Sequence, residues 1–211
     1  MPKRVVAISR EAGAEGNRIG ALVAERLGYR LVDEEIITTA AEKQGVDPAV
    51  IADAERRKSL ILRVLEGIGE GGMVTATPGG ATWIPDDASE LVRSNDFRSL
   101  IREAIHETAA QGDVVIVSHG ASFALAGRDD LLRVLVTAPH EARVRRFAEE
   151  RGTDEHAAAK VLKRSDEDRA DYLKRFYGVE HEQSSHYDIV VNTEMLGADG
   201  AAGVVVHAAQ A

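Results

Sequence analysis

The chain has 211 residues, 44% hydrophobic and 29% charged, the composition of an ordinary globular protein of one domain. Its formal net charge of −9 argues against nucleic acid as a partner, since such binding relies on basic patches to displace counterions. There is no cysteine, which excludes disulfides and thiolate-metal sites, and no apolar run approaches the ~20 residues that span a bilayer.

The N-terminus MPKRVVAIS runs straight into a β-like stretch without the apolar region and cleavage site of a signal peptide. A cytoplasmic protein with no membrane partner is the economical reading. The first strand is expected over 4–9 (RVVAIS), followed by the loop REAGAEGN and a helix over 18–27. In that helix Ile19, Leu22, Val23 and Leu27 share one face, and Gly28 is placed to end it. A short second strand over 29–32 stops at Asp33.

Residues 34–111 read mostly as helix, an insertion within the single domain 1–211. Asp47-Pro48 is a helix start, and Ile51, Ala54, Ile61, Val64, Leu65 and Ile68 form an apolar stripe. That stripe fits packing within one chain or across a homodimer equally well. The stretch 69–89 is rich in Gly, Thr and Pro and holds Trp83, and it reads as a long loop or small hairpin. Helix returns over 96–111, with Phe97, Leu100, Ile101, Ala104 and Ile105 facing inward.

Gly112-Asp113 leads into 114–117, a continuous apolar run of the kind buried on both faces of a sheet. A fourth strand follows over 131–137, and Pro139 opens a helix through Arg151. A long polar helix over 154–176, started by Thr153, lies in a lid region spanning 152–186. A strand over 188–191 and a helix of small residues close the chain. Short strands separated by helices predict an α/β fold, a doubly wound five-stranded parallel sheet with a helical insertion and a lid.

Strand, glycine-bearing turn and helix form the physical recipe for holding phosphate, because backbone N–H groups converge on the anion at the positive end of the helix. Here the segment is ISREAGAEGNRIG, in which Gly13 and Gly16 allow close backbone approach and Asn17 is placed to cap the helix. The full motif G-x-x-x-x-G-K-[ST] is absent. Superposed without gaps, Arg10 and Glu15 stand at the two motif glycines and Gly16 at the lysine.

The stretch ISREAGAEGNRIGALVAERLGYRLVDEEII resembles the start of the cytidylate kinase-like family, whose members read like ISREYGSGGREIG. VVIVSHGASFAL resembles its VIVGRGA segment, RVLVTAPHEARVRRFAEERG its next strand and helix, SDEDRADYLKRFYG its lid helix and YDIVVNTEMLG its last strand. The resemblance implies a phosphotransferase that moves a phosphoryl group from ATP, with Mg²⁺, to a nucleoside monophosphate, nominally CMP or dCMP. By position it assigns Arg10, Gly13, Gly16, Asn17 and Arg18 to the donor phosphates. Asp33, His119, Arg143 and Arg146 would face the acceptor, and Arg164, Arg169 and Asp33 would assist transfer. On that reading Arg164→Ala and Arg169→Ala impair turnover more than folding. Glu15 stands where the family has glycine, and His119 where it has arginine. A non-catalytic nucleotide-binding regulator on the same fold is therefore the alternative. Asp166 and Asp168 are expected to pair with the lid arginines. His181 and His186 read as a polar loop, and Tyr172, Phe176 and Tyr177 as packing positions.

Overall fold

The computed structural model of the protein describes residues 2–44, 48 and 94–211. The expected helix start at Asp47, the stripe over 51–68 and the loop 69–89 with Trp83 lie outside the described residues, as does the side chain of Phe97.

In chain order the elements are β1 (Val5–Arg10), α1 (Gly16–Leu27), β2 (Arg30–Val32), α2 (Glu35–Gln44), α3 (Ser94–Ala110) and β3 (Val114–Val117). There follow α4 (Ala121–Ala124), β4 (Leu131–Thr137), α5 (His140–Arg151), α6 (Glu155–Tyr177), a 3₁₀ turn (Ser184–His186), β5 (Ile189–Asn192) and α7 (Thr193–Gln210). Among the described residues five strands form one sheet in the order β2-β3-β1-β4-β5, and every pairing is parallel. This is the expected doubly wound α/β sheet, and its order reverses beside β1.

Side chains alternate across the pleat into two apolar layers. Val5 and Ala7 of β1, with Val114 and Ile116 of β3, pack against α2 and α3 through Ile36, Ala40, Ile101 and Ile105. Val6, Ile8, Val115 and Val117 pack on the other face against Ile19 and Val23 of α1 and Ala201 and Val205 of α7. Cover on both faces is the reason VVIV carries no polar residue. A third small cluster joins α5 to α6 through Val144, Ala148, Ala158 and Leu162, with Ala12 of the β1–α1 loop packed against it.

Three local readings are corrected. Asp154, not Thr153, caps α6, its side chain accepting from the Ala157 N–H at 2.9 Å. The short helix α4 was not anticipated, and four residues are too few for a helical period to register. The C-terminal helix is broken at Gly197, whose φ of 62° and ψ of 172° no helix contains.

Candidate active site

The loop after β1 is pinned at both ends. Glu11 N–H donates to the Val136 carbonyl at 3.0 Å and Ala14 N–H to the Glu11 carbonyl at 3.1 Å. Between these, Gly13 (φ 78°) and Glu15 (φ 62°) take left-handed backbone conformations. A Cβ on Gly13 would lie 2.9 Å from the Arg143 carbonyl, so this glycine is required by space as well as by angle. The left-handed Glu15 starts α1 at Gly16, earlier than expected. Asn17 thereby falls inside the first turn and does not cap it. Its amide donates instead to Asp33 Oδ2 at 3.2 Å. The N–H groups of this first turn are those that a helix leaves without an internal partner.

These residues form one wall of a cleft of about 590 Å³, closed on the other side by Arg146, Phe147, Glu150 and Arg151 of α5. Arg10, Gly13, Gly16, Asn17 and Arg18 all line it. Glu15 also faces it, accepting from Arg18 at 2.9 Å and lying 3.8 Å from Arg146 Nε. Arg146 is further held by Thr193 Oγ1 at 2.8 Å and Glu194 at 2.9 Å, at the start of α7.

Arg143 does something else. Its fork is closed on Asp166 of α6 at 2.9 and 2.8 Å, and one nitrogen also donates to the Ala12 carbonyl at 3.2 Å. Glu11 lies 3.6 Å from its Nε, and the side chain is only 7% exposed. The Asp166 hydrogen bond chiefly raises its pKa. Arg143 thus ties the β1–α1 loop to the lid helix rather than lining any described cavity. Asp166, expected to pair with a lid arginine, pairs with α5 instead because α6 lies against that helix.

Arg169 of α6 closes a second fork on Glu182, at 2.9 and 2.5 Å, while Nη1 donates to the Arg10 carbonyl at 3.1 Å. The Tyr187 hydroxyl donates to the same Glu182. Burial pushes the Glu182 carboxyl up, but Arg169 and Tyr187 outweigh it and hold its pKa below the usual carboxylate value. Burial, then Glu182, pushes the Tyr187 phenol up. Arg164 lies on the exposed face of α6, 3.9 Å from Asp168, and lines none of the described cavities.

At the end of β3, Ser118, His119 and Gly120 are three successive left-handed residues. The corner is held from the lid, since the hydroxyls of Tyr172 and Tyr177 each donate to the His119 carbonyl at 2.9 Å. Phe176 between them is buried. The His119 imidazole is largely buried, with Nε2 3.8 Å from Asp33 Oδ1. Asp33 is thus the meeting point of Asn17 from α1 and His119 from β3. A second cavity of about 340 Å³ lies under the lid, lined by Arg10, Ser118, His119, Asp168, Arg169 and Tyr172 among others. His186 Nδ1 accepts from the Gln183 N–H at 3.2 Å, and its ring packs edge-on against Phe123.

The sequence brings Arg10, Gly13, Gly16, Asn17, Arg18, Asp33, His119 and Arg146 to one end of the sheet. Glu11, Arg151, Glu182 and Tyr187 belong there too and were not singled out. Their partners come from other elements, so no local spacing announces them.

A model of the cytidylate kinase-like family matches residues 5–195. The chain is 33% identical over 117 residues to a cytidylate kinase of Thermococcus kodakarensis, covering 55% of this chain and 56% of that protein. It is 30% identical over 123 residues to a cytidylate kinase of Methanopyrus kandleri, covering 54% and 64%. The matches therefore span little more than half the length of these relatives. Among solved structures, an uncharacterized protein from Eubacterium ventriosum aligns over 97% of both chains at a TM-score of 0.66 and 17% identity, a likeness of fold. With the family matched across nearly its whole length, the chain belongs to the cytidylate kinase-like family, of the P-loop nucleoside-monophosphate-kinase type.

Proposed function

We propose that the protein is a nucleotide kinase that transfers the terminal phosphoryl group of ATP to a nucleoside monophosphate, nominally CMP or dCMP. The observation that carries this reading is a pair of cavities at one end of the sheet, about 590 and 340 Å³, that share Arg10. Two adjoining sites with a common cation suit two phosphorylated substrates. The named relatives are cytidylate kinases, which supports the choice of acceptor.

The residues present fit a magnesium–nucleotide complex. Gly13 and Gly16 line the cleft at the start of α1, and Arg10, Arg18, Arg146 and Arg151 supply positive charge. No group of three or more metal-ligating side chains gathers among the described residues, so the ion would be carried chiefly by phosphate oxygens, as is usual for Mg²⁺. When bound, ATP supplies the activated phosphoryl group and Mg²⁺ neutralises the charge that develops on it. The first turn of α1 would orient the donor phosphates. Asp33, fixed by Asn17 and beside His119, would orient the acceptor or a magnesium-bound water. Arg169 would position Arg10 through its carbonyl, and Arg164 would add charge from the lid.

A second reading, a nucleotide-binding regulator with weak or no turnover, draws on Glu15. Its carboxylate faces the donor cleft and engages Arg18 and Arg146, cations that would otherwise meet phosphate. Following ADP formation from ATP and Mg²⁺ with each nucleoside monophosphate separates the two. Turnover with CMP or dCMP supports the kinase. Nucleotide binding without turnover supports the regulator.

A further inference from the structure

The P-loop motif places glycine at its first position and lysine six residues later, in the first turn of the helix. In this chain the two positions hold Arg10 and Gly16. The structure gives a reason why they change together. A Cβ built on Gly16 would run into the Arg10 Cβ and would lie 2.7 Å from its Cδ. Arg10 is the last residue of β1, and its stem crosses directly over the start of α1. Steric exclusion therefore allows a side chain at position 10 or at position 16, but not at both.

Where that stem leads is also visible. Arg10 lines both the donor cleft and the cavity under the lid. Its Nε is buried and makes no hydrogen bond among the described residues, an expensive state for a guanidinium. Its backbone is fixed on both sides, by register with Val136 of β4 and by Arg169 on its carbonyl. Asp33 and Glu34 favour its positive charge, and Arg169 opposes it.

We propose that Arg10 and Gly16 are a reciprocal exchange of the P-loop glycine and lysine, and that the Arg10 guanidinium does the lysine's work from the strand instead of the helix. This deepens the kinase reading and rests on it. In the transfer, an acceptor phosphate oxygen forms a bond to the terminal phosphorus as the bond from that phosphorus to the leaving diphosphate breaks, its electron pair departing with the diphosphate. Arg10 gains and loses no proton. It offers N–H donors to the phosphoryl oxygens between the two cavities, where charge is greatest. Because it faces both cavities, it contacts the donor and the acceptor alike, which the exposed Arg18 does not.

The test measures calorimetric affinity for Mg²⁺–ATP and for CMP separately, alongside kcat, in Arg10→Met, Arg10→Gly and Arg10→Gly/Gly16→Lys. Methionine keeps the stem over Gly16 and removes only the fork. The expected result for Arg10→Met is an unshifted melting curve, roughly tenfold weaker binding of both nucleotides and kcat lower by ~10²-fold. Arg10→Gly should lose as much, and the double variant, which restores the motif's order, should regain at least about tenfold in kcat. Wild-type affinities in Arg10→Met, or a folded double variant no better than Arg10→Gly, would overturn the exchange while leaving the kinase reading intact. A wild-type protein that binds neither nucleotide would overturn both.

Discussion

The cleft beside the β1–α1 loop and the lid base are both rich in arginine and carboxylate, yet the charges are used differently. Around the cleft Arg18 is held loosely, 63% exposed with one close partner, whereas Arg146 is already engaged by Thr193 and Glu194. At the lid base two guanidinium groups each close two nitrogens on a carboxylate, Arg143 on Asp166 and Arg169 on Glu182, and each also holds a backbone carbonyl. A planar fork saturated by a carboxylate and a carbonyl has little left to offer a phosphate. The lesson is that an arginine near a nucleotide site serves as a strut or a ligand according to what already occupies its fork. Sequence position alone does not separate the two.

The largest effect should come from breaking a strut. Arg143→Met leaves Asp166 and the Ala12 carbonyl without their donor and should cost about 2–3 kcal/mol. At this chain length that lowers Tm by roughly 5–10 °C, measured without nucleotide. A shift below a degree would make Arg143 a ligand-binding group after all.

Glu182→Gln should come next, at about 1–2 kcal/mol near neutral pH. Its pH dependence is the sharper readout. The Glu182 pKa is depressed in the folded state, so its contribution is complete well above the ordinary value of 4.5 and is lost as pH falls below it. Urea unfolding between pH 3 and 7 should show the gap between wild type and Glu182→Gln narrowing on the acid side. A constant gap would mean that the Arg169 pair is not what lowers that pKa.

Arg18→Ala belongs to the loosely held set. Stability should stay within about 0.5 kcal/mol, while affinity for Mg²⁺–ATP falls about three- to tenfold by calorimetry. Smallest of all is Arg164→Ala, whose long contact to the exposed Asp168 predicts less than about 0.5 kcal/mol. A fewfold loss of turnover is the expected mark of its lid charge, and wild-type turnover would remove Arg164 from the transfer machinery.

Much of this architecture was legible in the sequence. Continuous runs such as VVIV announce strands covered on both faces, and the alternation of such runs with amphipathic helices fixes the parallel sheet. Gly13 marks the tight turn after β1. The struts were not legible, because Arg143 and Asp166 stand 23 residues apart on different helices and Arg169 and Glu182 stand 13 apart. A helix pairs residues three or four apart in sequence, whereas these pairs exist only once α6 has docked. Asn17 shows the same limit from the other direction. Its residue type suits a cap, but the left-handed Glu15 moves the start of the helix and turns Asn17 toward Asp33. Position relative to β1 and β3 was readable, and the division of labour among the arginines was not.

The most direct test of the central claim is thermal unfolding of the wild-type protein with Mg²⁺–ATP and, separately, with CMP and dCMP. A ligand at ~100 times its dissociation constant stabilises by about 2.7 kcal/mol, a rise of several degrees at this length. Two adjoining phosphate sites predict a rise with ATP and an independent rise with one of the monophosphates. No rise with any of them at millimolar concentration would contradict the account.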